Sequence, residues 1–192
     1  MIEQVLTRHN AALRVKITVK TLISAGVIAL AVILPQLVHL ALGAPGGVQW
    51  LPMYLPVLLG GCLLGWKWGL GVGMLSPVVS FAITSLIGNP MPVATRLPYM
   101  IVELAVFAAV SGLFSRSITK NGWMAFPAVL LAQVAGRLTF LVVAAIFQSV
   151  SPLSAATVWS QIQTGLTGMV LQAVIVPFVV MGLRLLLMRD KQ

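Results

Sequence analysis

Residues Leu131–Phe147 read LAQVAGRLTFLVVAAIF, a run whose single formal charge is the guanidinium of Arg137. As a helix rising ~1.5 Å per residue, such a run covers most of a hydrocarbon core of ~30 Å. A charge near the centre of a bilayer costs ~2.5–3.5 kcal/mol on insertion scales, so it is expected to face the protein interior and to have a partner. Reading this stretch as a membrane span therefore decides the fold and poses a question: what does Arg137 meet?

The rest of the chain supports that reading. Of its 192 residues 59% are hydrophobic and 8% charged, with a mean hydropathy of +1.05, too apolar for a domain with a wet surface. Six apolar stretches are expected to cross the membrane, at roughly 17–42, 52–66, 69–88, 97–115, 124–149 and 160–188. The second is short, but the aromatics of WLPMYLP and GWKWG flank it as at two interfaces. The expected fold is an all-α bundle of six transmembrane helices forming one domain over residues 1–192. No cleavable signal peptide is expected, because the first apolar stretch is long and lacks a small-residue cleavage site.

The net charge of +9 is explained by where it falls. With the N-terminus in the cytoplasm, Arg8, Arg14, Lys16, Lys20, Lys67, Arg116, Lys120, Arg184, Arg189 and Lys191 lie inside and Arg96 lies outside. That is the positive-inside pattern, with both termini cytoplasmic. It implies contact with membrane lipid and no nucleic-acid partner. The connections inside (GWKWG, SRSITKNG) are short and basic; those outside (HLALGAPGGVQWLPMY, GNPMPVATRLP, QSVSPLSAATVW) are longer, rich in Gly, Pro and Ser, and almost uncharged. Loops of the second kind suit ligand recognition, though tight turns need the same residues.

Polar residues inside the apolar stretches are few. Glu103 is the one acid within the expected spans, about 9 Å below the outer end of its helix, and Arg137 lies about 18 Å deep. A long arginine reaching outward meets such a glutamate, either as a strut between two helices or as part of a site for a polar solute. Ser76, Ser80 and Thr84 recur every four residues on one helix face, to line a pocket or to let helices pack closely. Gly61, Gly65, Gly69 and Gly73 recur at the same interval and predict close helix approach. Ala25 and Ala29 form a small-xxx-small pair able to bring another helix near, within the bundle or from a second protein.

Several chemistries have no residues to carry them. His9 and His39 are isolated, Cys62 is the single cysteine, and no cluster has metal-ligand spacing. A nucleotide-binding loop of the G-x-x-x-x-G-K-[ST] type is absent from the sequence. The expectation is a binding protein and not an enzyme, with no cofactor and no metal.

The stretches LPMYLPVLLGGCLLGWKWGLGVGMLSPVVSFAIT, RLPYMIVELAVFAAVSGLFSR, AGRLTFLVVAAIF and GLTGMVLQAVIVPFVV together resemble the substrate-specific S component of energy-coupling factor (ECF) transporters, over about residues 17–188. The resemblance implies a multi-pass subunit of the bacterial plasma membrane that captures a water-soluble vitamin at the outer face. Its implied partners are a transmembrane coupling (T) component and two cytoplasmic ATPases, as in an ABC importer. Ala25 and Ala29 match the family's A-x-x-x-A pattern, which docks the first helix on the coupling protein. Glu103 and Arg137 fit the family pattern, whereas Tyr54 stands where it has histidine.

The candidate solute residues are Trp50, Tyr54, Ser80, Thr84, Asn89, Arg96, Glu103 and Arg137. Trp50 equally suits an interfacial aromatic belt. Arg137 and Arg96 favour an anionic solute, because a guanidinium holds a carboxylate through two parallel hydrogen bonds. Pantothenate is the first choice, with pyridoxine, cobalamin and folate open. The alternative is a stand-alone secondary carrier or a structural membrane protein independent of ATPases, against which stands the lack of an inverted half-repeat.

Overall fold

The computed structural model describes residues 1–8, 12–147 and 155–188. Its regular elements are all helical: α1 (Ile2–Arg8), α2 (Leu13–Trp50), α3 (Tyr54–Leu64), α4 (Trp66–Leu86), α5 (Leu97–Leu113), α6 (Ser115–Lys120), a 3-10 turn (Gly122–Met124), α7 (Ala125–Phe147) and α8 (Ala155–Met188). Among the described residues, four stretches are long and apolar enough to cross a membrane: Leu13–Gly43, Trp66–Leu86, Gly122–Phe147 and Ala156–Met188. Their outward faces are apolar, with Leu30, Leu75, Leu138 and Leu186 all exposed. Such a surface is stable only in a nonpolar solvent.

The segments expected at 52–66 and 97–115 form shorter apolar helices, Tyr54–Leu64 and Leu97–Leu113. The 11 residues of α3 rise only about 16 Å. The reason lies in the preceding chain. At Gly43 the helix breaks, with φ 69° and ψ −172°, a conformation essentially confined to glycine. Residues 44–50 then run along the bundle until the Trp50 and Leu51 carbonyls accept hydrogen bonds from Gln172, halfway along α8. The stretch expected as an outer loop is thus largely helical and penetrates to the middle of the bundle, so α3 has only the remaining half to cover.

Helix α5 is the hub, packed against α3, α4 and α7. Three of the four glycines in the ladder make this possible: a Cβ at Gly61 or Gly69 would press on the Ala108 carbonyl, and one at Gly73 on the Leu104 carbonyl. Gly65 does something else, turning the chain between α3 and α4 at φ 85° with open space around it. At that end of the bundle, α1 is tethered by Glu3 to Lys20 at 3.1 Å, with Met1 and Ile2 buried. Arg184 donates to the Thr119 and Lys120 carbonyls at the end of α6. Of the outer loop expected at 148–159, residues 155–159 instead form the first turn of α8; the remainder of that loop, His9, and the basic residues Arg189 and Lys191 lie outside the described residues.

Candidate functional site

Arg137 meets Glu103. Its Nη1 lies 2.8 Å from Glu103 Oε1, and the Tyr54 hydroxyl donates to Glu103 Oε2 at 2.6 Å. The guanidinium carbon stands 4.9 Å from the centre of the Tyr54 ring, which adds a cation–π attraction. Three helices contribute: α3 gives Tyr54, α5 gives Glu103 and α7 gives Arg137. Phe107, one turn beyond Glu103, packs edge-on against Tyr54 at 5.1 Å. It fills the notch left by Gly136, where any Cβ would collide with its ring. Glu103, Tyr54 and Arg137 are 0%, 5% and 6% exposed.

The triad's hydrogen bonding is incomplete. Arg137 Nε and Nη2 and Glu103 Oε1 are buried without a hydrogen-bond partner, so the 2.8 Å contact is an ion pair whose atoms are not aligned as a hydrogen bond. A guanidinium has five N–H donors in a fixed fork. Leaving part of that fork unpaired in a dry interior is costly. Nη2 and Nε together form the edge with which arginine grips a carboxylate or phosphate.

The hydroxyl face on α4 does not line this triad. Ser76 bonds back to the Val72 carbonyl of its own helix. Ser80 donates to the Met91 carbonyl at 2.7 Å, while Thr84 accepts from the Met91 amide at 2.7 Å. Gln36 of α2 reaches the Met91 sulfur at 3.6 Å. These residues moor the connection between α4 and α5. Asn89 is exposed and its amide bonds to the Thr84 carbonyl; Arg96 is half-buried at the start of α5. Neither hydrogen-bonds nor pairs with the triad among the described residues.

Trp50 lies deeper than a residue of an outer loop would, half-buried and held by its carbonyl to Gln172. Leu51 links it to the triad, because the Leu51 carbonyl accepts from both Gln172 Nε2 and the Tyr54 amide. Two buried glutamines join this framework that the motif reading passed over, Gln172 on α8 and Gln133 on α7, which donates to the Met169 carbonyl at 3.0 Å. The available signal was an amide midway along each of two apolar stretches, one of them a single helical turn before Arg137. Ala25 and Ala29 are exposed on α2, in line with Leu22, Leu30 and Ile33.

The described residues thus form an apolar helical bundle with a buried, partly unpaired Arg–Glu–Tyr cluster at the meeting of α3, α5 and α7. Residues 20–180 match the family model of the ECF transporter, substrate-specific component, and the chain belongs to that family. It is a substrate-specific membrane subunit of a transporter. No curated protein and no solved structure matches the chain.

Proposed function

We propose that this chain captures a water-soluble, anionic vitamin at the outer face of a bacterial plasma membrane and delivers it inward when partner subunits hydrolyse ATP. The observation that carries the reading is the unpaired edge of Arg137: two guanidinium nitrogens buried without a hydrogen-bond partner. A bound carboxylate supplies both missing acceptors at once. Glu103 and Tyr54 hold the guanidinium in place and keep the site neutral before the solute arrives. Pantothenate, a monocarboxylate with hydroxyl and amide groups, is the first candidate.

In this reading the chain is one domain crossing the membrane six times with both termini inside. The second crossing is shared between residues 44–51 and α3. Trp50 lies against the solute. Asn89 and Arg96 sit at the mouth, where Arg96 draws anions inward, and Ser80 and Thr84 fix the loop that covers it. The exposed face of α2 at Ala25 and Ala29 supports docking of a transmembrane coupling protein, which links the chain to two cytoplasmic ATPases.

A thermal-shift screen of the purified protein against pantothenate, pyridoxine, cobalamin and folate tests the ligand. Co-purification tests the assembly: a complex with a coupling subunit and two ATPases is expected, and full uptake by this chain alone in ATP-free vesicles contradicts it.

A further inference from the structure

Gln172 of α8 is a buried polar residue with only the nitrogen half of its amide paired. It is 2% exposed, and its Nε2 donates to the carbonyls of Trp50 at 3.2 Å and Leu51 at 2.9 Å. Because both partners are acceptors, the amide must turn its nitrogen toward them and its oxygen away. Oε1 then meets no donor among the described residues. A buried amide oxygen without a donor is as costly as a lost hydrogen bond, and it complements the unpaired donors of Arg137.

The two deficits can be placed relative to each other. Phe140 and Ala144 of α7 pack with Val158 and Ile162 of α8, while Gln133 bonds to the Met169 carbonyl, so the helices run antiparallel. Arg137 lies one turn past Gln133, about 6 Å along α7, and Gln172 lies three residues past Met169, about 4.5 Å the opposite way. About 10 Å therefore separates the two positions along the bundle.

We propose that Gln172 is a specificity-determining residue: the solute whose anionic group pairs with Arg137 also carries, at a distance from that group, a hydroxyl or amide N–H that donates to Gln172 Oε1. The proposal rests on the solute-binding reading of Arg137. It selects elongated solutes polar at both ends over small monocarboxylates.

The test titrates pantothenate, folate, pyridoxine and cobalamin singly into the purified protein and into Arg137→Met and Gln172→Met. A compound that binds the parent, and is weakened at least about tenfold by each substitution, supports the proposal. Derivatives of that compound, O- or N-methylated at each donor in turn, then separate recognition from a structural clamp on residues 50–51. Recognition requires that methylating one donor weakens binding to the parent about tenfold and to Gln172→Met hardly at all. Additive losses at every donor overturn the proposal, because a clamp alone does not sense the ligand's donor. Binding weakened by Arg137→Met but unchanged in Gln172→Met also overturns it and leaves the reading of Arg137 standing. No binding, or binding indifferent to Arg137→Met, overturns that reading and the proposal together.

Discussion

Arg137 Nη1 lies 2.8 Å from Glu103 Oε1, while Nε and Nη2 of the same guanidinium are buried without a hydrogen-bond partner. A pair built only to join two helices would gain by closing the remaining bonds, since desolvating an ion pair costs several kcal/mol that good geometry must offset. Tyr54 completes one side of the cluster from Glu103, and the Nε–Nη2 edge of the arginine is left without a hydrogen bond. That asymmetry is the observation on which the proposed solute site rests.

Tyr54→Phe removes the hydroxyl that donates to Glu103 Oε2 and keeps the ring beside Arg137 and Phe107. The expected loss is about 1.5–3 kcal/mol, the range for a hydrogen bond to a charged group. Thermal unfolding in detergent or nanodiscs measures it. A variant as stable as the parent would mean that the hydroxyl does not hold the carboxylate.

Gly43→Ala forces a Cβ into a backbone at φ 69°, ψ −172°. The expected cost is about 1–3 kcal/mol. Because residues 44–51 lead directly to Tyr54, ligand affinity should fall with stability. Equal stability and affinity in this variant would show that the break in α2 is not where the structure puts it.

Ala25→Trp and Ala29→Trp add bulk on an exposed face of α2, remote from the Tyr54–Glu103–Arg137 cluster along the chain. Ligand binding by the isolated protein should change less than about twofold, within the range of surface substitutions. Uptake by the full transporter should be abolished. Loss of binding with assembly intact would reverse the assignment of this face.

Glu3 is held below its ordinary carboxylate value of 4.5, chiefly by its hydrogen bond with Lys20. A depressed acid stabilises the fold when ionised, so the α1 tether is in place above pH 4.5 and is lost as the pH falls through the folded-state value. With its side chain 61% exposed, solvent screening keeps the effect under about 1 kcal/mol. Glu3→Gln should therefore leave stability at neutral pH nearly unchanged and remove a small part of its decline in acid, as followed by unfolding at several pH values.

What was legible in the sequence follows the physics of each signal. Long apolar runs announce membrane helices because the solvent imposes length and composition together, and α2, α4, α7 and α8 appear near their expected places. The Glu103–Arg137 pair was legible because an isolated acid and an isolated base inside apolar stretches have few other partners. The path of residues 44–51 was not. Its Gly-Pro-rich composition reads as a loop, and only tertiary contacts with Gly168 and Gln172 reveal that it enters the bundle. Ser80 and Thr84 show the same limit, because periodicity identified their shared face without identifying Met91 as what that face binds.

The most direct test of the central claim is the affinity of the double variant Glu103→Gln/Arg137→Met. Each single change strands a buried partner and should cost about 3–5 kcal/mol of stability, whereas the double change removes both charges and should recover most of it. For the vitamin that the screen identifies, calorimetric titration of the stable double variant should give an affinity ten- to a hundredfold below the parent's, the loss of a charge-assisted hydrogen bond of about 1.5–3 kcal/mol. A stable double variant with undiminished affinity would contradict the account and leave Arg137 as a strut between helices.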